Sequence, residues 1–104
     1  MQQAIQRIIE DIDEDCVFDS HFVIAQLIKR EYDTYLRFVV TRFQADTLTT
    51  AIVHGQLAEQ ITVFIESDIG HNIAERLDDL ESFSENVQGN ACKCACWRKI
   101  RTGR

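Results

Sequence analysis

The sequence predicts an α+β fold, mainly α, with four to five helices closed by a C-terminal β-hairpin. Three observations carry that prediction. Apolar residues recur at helical spacing through most of the chain. There is no Pro and there are only four Gly, too little punctuation for an all-β fold or for flexible linkers. Near the end, SFSENV, QGN and ACKCACW read as extended, turn, extended, with Gly89 central in a three-residue connection. At 104 residues and 45% hydrophobic the chain fills one core rather than two, so residues 1–104 read as a single domain with 98–104 as a basic C-terminal tail.

In AIQRIIEDI the residues Ile5, Ile8, Ile9 and Ile12 fall on one stripe of a first helix. The acidic run Asp13-Glu14-Asp15 then opposes the negative end of the helix dipole and stops it. Cys16-Val17-Phe18 is long enough for a short strand. Asp19 or Ser20 can cap a second helix from about Ser20, buried through Val23, Ile24, Leu27 and Ile28. Tyr32, Tyr35, Leu36, Val39 and Phe43 continue the rhythm after a break near Asp33. Asp46 or Thr47 is the next cap, ahead of a helix carrying Leu48, Ala51, Ile52, Gly55, Ala58, Ile61 and Ile65. Gly55 costs about 1 kcal/mol there and marks a close crossing or a turn. HNIAERLDDLES reads either as a short polar helix on Ile73 and Leu77 or as a loop.

The net charge of −6 conceals an asymmetry. Residues 1–90 hold six Lys or Arg against all 17 acids, a balance of −11, whereas residues 91–104 hold five bases and no acid. An acidic body repels phosphate chains, while a basic stripe can still dock an anionic partner. The N-terminus lacks the features of a secretory signal, and no apolar stretch approaches the roughly 20 residues of a membrane span. The expectation is a cytoplasmic protein with no membrane association.

In that compartment Cys16, Cys92, Cys94 and Cys96 read as reduced thiols. On a strand Cys92, Cys94 and Cys96 share one face, with Lys93, Ala95 and Trp97 on the other. Residues two apart on a strand are about 6.7 Å apart, yet two thiolates on one tetrahedral zinc must approach to roughly 3.8 Å. A regular strand cannot close that gap, so the thiols read as small hydrophobes and no metal is expected. The alternative weighed is zinc held by Cys16, two of the later cysteines and a histidine.

Asp19-Ser20-His21 contains the side-chain types of a hydrolase triad, but neighbours on a helix point about 100° apart and assemble none. His21 reads as a first-turn boundary residue, and a Cys16–His21 nucleophile pair lacks an orienting third group. His54 reads as a hydrogen-bonded interior histidine in preference to a contact residue, and His71 as a loop residue. No Gly-rich phosphate loop, H-E-x-x-H or dinucleotide fingerprint is present, so neither catalysis, a cofactor nor a small-molecule substrate is inferred. Ala51, Gly55 and Ile61 have the spacing of a helix-turn-helix, but from Leu57 to Glu66 only Gln60 and Thr62 could read a base edge.

The order helix, short strand, two or three helices, hairpin resembles the winged-helix architecture. Separately, FDSHFVIAQLI, the His54-Gly55 pair and NVQGNACKCACWRK together resemble a family of small, functionally uncharacterised bacterial proteins, a resemblance that supplies no activity and no site residues. The winged-helix resemblance implies phosphate contacts from Lys93, Arg98, Lys99 and Arg101, with Arg37 and Arg42 as further bases. The body's acidity and the absence of Lys and Arg from Gln44 up to Arg76 depart from it. The sequence therefore points first to a non-catalytic binding or regulatory module acting by protein–protein or self-association. Its alternative is a winged-helix-like DNA-binding regulator using the basic hairpin and tail.

Overall fold

The computed structural model describes residues 1–43, 50–87, 89 and 91–101, apart from the side chains of residues 42–43, 50–51, 78–81 and 92. In chain order these form α1 (Gln2–Glu10), β1 (Val17–Asp19), α2 (Ser20–Arg30), α3 (Tyr32–Phe43), α4 (Thr50–Ile65), a 3-10 turn (Gly70–Asn72), β2 (Ala74–Glu85) and β3 (Ala91–Lys99). The fold is α+β and mainly helical, with three antiparallel strands in the order β1-β3-β2. The cap expected at Asp46 or Thr47, and Leu48, lie outside the described residues.

The Ile stripe of α1 is buried at Ala4, Ile5, Ile8 and Ile9. The helix ends at Glu10, before the acidic run, where the Asp11 N–H bonds back to the Ile8 carbonyl and the Ile12 N–H to that of Ile9. The chain then reverses at Asp15, whose φ of +67° lies in the left-handed region that Asp tolerates better than most side chains. The Asp15 N–H donates to the Lys99 carbonyl and the Lys99 N–H to the Cys16 carbonyl, both at 2.9 Å. These bonds carry the chain into β1 alongside β3. Asp19 ends that strand and caps α2, its Oδ1 accepting from the Phe22 N–H at 2.8 Å. The break before α3 falls at Glu31, with φ −129° and ψ 42°.

Because β3 is central, it is covered from both sides of its register. Phe18 lies opposite Trp97, with ring centroids 5.8 Å apart, and Trp97 and Cys96 are both buried. The segment expected to be a short polar helix or loop is instead mostly strand. Ile73 and Leu77, four apart, imitate a helical period, while an irregularity in β2 breaks the alternation that would have marked a strand. Arg76 pairs with Trp97 and Glu81 with Ala95, so residues 77–80 stand opposite Cys96 alone. Pairing of Glu85 with Ala91 makes the hairpin connection five residues, 86–90, rather than three. Gly89 supplies its positive φ of +85°.

One core cluster unites Ile5, Ile8, Ile9, Val23, Leu27, Leu57, Ile61 and Trp97, with Ile28 only partly buried against it. Two helical faces differ from expectation. In α4 the buried stripe is Val53, Leu57, Ile61, Phe64 and Ile65, with Ile52 exposed. In α3 Phe38 is buried, Tyr35 and Val39 pack against the core, and Tyr32 and Leu36 face outward. Both helices carry apolar residues outside the face they bury, so periodicity alone offers two competing stripes. Gly55 is neither a crossing nor a turn: α4 runs through it, and a Cβ there would meet nothing within 4 Å. Gly70 is the close approach, since a Cβ would stand 1.8 Å from the Phe64 carbonyl oxygen.

Candidate functional site

Three of the six basic residues singled out from the sequence, Arg98, Lys99 and Arg101, make charged contacts within the fold. Lys99 is buried, and its ammonium donates to the carbonyls of Glu10 at 2.9 Å and Ile12 at 2.8 Å. It thereby satisfies the carbonyl of the last residue of α1 and one in the turn that follows. Arg98 pairs with Glu75, and Arg101 donates to Asp15 Oδ2 from Nε at 2.9 Å and from the guanidinium terminus at 2.6 Å. Lys93 is exposed on β3 and Arg37 on the outer face of α3. Arg42 belongs to α3, but its side chain is outside the described ones. Two further bases join helices, Arg7 to Glu31 at 2.7 Å and Arg30 to Asp11.

A different cluster forms where α2 begins against the hairpin. Asp19 Oδ2 accepts from the hydroxyls of Ser82 at 2.6 Å and Ser84 at 2.7 Å. His21 Nδ1 lies 2.8 Å from Ser84 Oγ and 3.5 Å from Cys94 Sγ. Ser84 has one proton and commits it to Asp19, so its oxygen accepts from His21 and the hydrogen sits on Nδ1. The strand register explains the convergence. Asp19 lies opposite Cys96, and Ser82 and Ser84 lie opposite Cys94 and Cys92, all on positions of even spacing that share a sheet face.

Burial pushes the Asp19 carboxyl up, but the hydrogen bonds from Ser82, the Phe22 N–H and Ser84, with the charge of His21, outweigh it and hold the group below its ordinary value. The donor atoms of Asp19, His21 and Cys94 lie within 4.8 Å of one another, and all three side chains are half-buried. This is the set of ligand types that the described residues bring together.

His21 and Cys94 face a cleft of about 640 Å³ between α2, α4 and the hairpin, which His54, Ala58, Val63 and Lys93 also line. Asp19 and Ser82 face a second cleft of about 730 Å³ with Cys96 and Cys16. His54 is buried, with Nε2 2.7 Å from the Tyr35 hydroxyl. Burial lowers its pKa and raises that of Tyr35. The histidine read from sequence as interior is therefore hydrogen-bonded and also forms part of a cleft wall.

Sequence reasoning weighed Asp19, Ser20 and His21 as a tripeptide and His21 with Cys16. The structure pairs His21 with Cys94 and places Cys16 exposed on the chain leading into β1. Alternation was the signal available: Ser82 and Ser84 share one face of an antiparallel hairpin with Cys92 and Cys94. No protein-family model matches this chain, and neither a curated protein nor a solved structure matches it.

Proposed function

We propose that this chain is a non-catalytic binding module that associates with a second copy of itself through the outer face of α3. The observation that carries the reading is a helix apolar on both sides. Tyr35, Phe38 and Val39 face the core, yet Tyr32, Leu36 and Val40, spaced by four, are 53%, 41% and 51% exposed. An apolar stripe left exposed on a helix whose other face is already buried marks an interaction surface. At twelve residues α3 is far short of the roughly 20 needed to cross a bilayer, and among the described residues no helix is long and apolar enough to do so.

Charge placement favours a second copy as the occupant. Asp33 and Arg37 lie one turn apart along the same flank of the exposed stripe. In an isologous antiparallel docking that flank meets its own counterpart, so Asp33 of each copy approaches Arg37 of the other.

The winged-helix-like reading keeps the support of chain order and of the β1-β3-β2 pairing. DNA as partner loses support from the tail, where Arg98 and Arg101 are ion-paired and Lys99 is buried. Phosphate contact by Lys99 would have to break its bonds to the Glu10 and Ile12 carbonyls, and the charges of Arg98 and Arg101 are already offset by Glu75 and Asp15.

Light scattering on chromatographed protein tests the proposal. The wild type elutes with the mass of two chains, and Leu36→Glu elutes as one chain with an unchanged far-ultraviolet dichroism spectrum. A single-chain mass for the wild type, or two chains for Leu36→Glu, refutes it.

A further inference from the structure

We propose that Asp19, His21 and Cys94 form a binding site for one divalent transition-metal ion, with zinc the best match. The proposal rests on the geometry of the cluster and is independent of self-association.

Three features carry it. First, His21 Nδ1 and Cys94 Sγ are 3.5 Å apart. Zinc bonds of about 2.0–2.1 Å to nitrogen and 2.3 Å to sulfur at a tetrahedral angle place those atoms about 3.5–3.6 Å apart. The pair can close on an ion with little movement of either backbone. Second, Asp19 retains acceptor capacity. An ionised carboxylate offers about four lone-pair sites, and among the described residues Asp19 accepts three hydrogen bonds, from Phe22, Ser82 and Ser84. These bonds fix the carboxylate as outer-shell partners fix a ligand. Third, the charges balance. One carboxylate and one thiolate neutralise a divalent ion, and imidazole with thiolate selects a borderline-soft metal over magnesium or calcium.

Binding has a defined proton balance. The Cys94 thiol proton leaves to solvent as the sulfur ligates. The His21 proton moves from Nδ1 to Nε2, which frees the Nδ1 lone pair and replaces the contact with Ser84. The fourth tetrahedral position opens toward the cleft that His21 and Cys94 line, where a water completes the shell. The spacing argument against several strand cysteines sharing a zinc does not apply, because this site takes one sulfur from β3 and its other ligands from the β1–α2 junction.

Cobalt(II) titration of reduced, chelator-treated full-length protein tests the proposal, because a cobalt–thiolate bond produces a near-ultraviolet charge-transfer band. The wild type should bind one cobalt per chain, show the band, lose it when zinc is added, and show one sulfur neighbour by X-ray absorption. Cys94→Ser should lose the band, His21→Gln should weaken binding at least tenfold, and Cys16→Ser should behave as wild type. Dichroism establishes that each variant is folded. If Cys94→Ser does not fold, the sulfur count on the wild type decides. No band in the wild type, an unchanged band in folded Cys94→Ser, or two or more sulfur neighbours would overturn the assignment.

Discussion

Replacing Lys99 with Met keeps most of the side-chain volume and removes the ammonium, which makes it the sharpest test of why the tail is basic. The wild-type group makes two charged hydrogen bonds, to Glu10 and Ile12 carbonyls, each worth about 1.5–3 kcal/mol. Its position at the end of α1 adds about 0.3–1 kcal/mol by opposing the helix dipole. Against this stands the cost of holding an ammonium in a residue that is only 4% exposed, several kcal/mol in an apolar setting and less where two carbonyls solvate it. The expected net loss is about 2–4 kcal/mol, a large share of the total stability of a small domain. Urea denaturation of wild type, Lys99→Met and Lys93→Met measures it, with the exposed Lys93 as control at under about 0.5 kcal/mol. A loss below about 0.5 kcal/mol for Lys99→Met would refute the claim that Lys99 is a structural cap.

Ile8 and Leu27 are both fully buried in the shared core of α1 and α2, so each Ala substitution should cost about 2–5 kcal/mol by the same denaturation assay. Losses below about 0.5 kcal/mol at both would mean the buried faces are misassigned. His54 should make the fold acid-labile. Its folded-state pKa is depressed by burial, so its contribution is fully present above the unfolded histidine value of about 6.5 and is lost as pH falls through the folded value. The stability difference between wild type and His54→Gln should therefore shrink as pH is lowered from neutrality. A difference that grows on acidification contradicts the burial argument.

Local rules made part of this fold legible. The Ile stripe of α1, the Asp19 cap and the glycine-centred hairpin each depend on residues a few positions apart, and each appears near its expected place. Longer-range features were hidden for identifiable reasons. β2 was obscured because residues 77–80 face one residue of β3 and destroy the period of two. The inner faces of α3 and α4 were ambiguous because both helices also carry apolar residues away from the buried face. Counting charges cannot reveal that Glu75, Asp15 and the end of α1 meet Arg98, Arg101 and Lys99. The Asp19–His21–Cys94 cluster spans more than 70 residues of sequence, and only the sheet register aligns it.

The central claim, that the outer face of α3 docks antiparallel on a second copy, is tested most directly by charge reversal followed by sedimentation equilibrium. Asp33→Arg and Arg37→Asp each turn two attractive cross-copy pairs repulsive and should weaken the dimer roughly tenfold, given up to about 1 kcal/mol per exposed pair. The double reversal restores opposite charges across the two-fold axis and should recover wild-type association. A double variant no better associated than either single one, or a wild type that sediments as one chain at every concentration, would contradict the account.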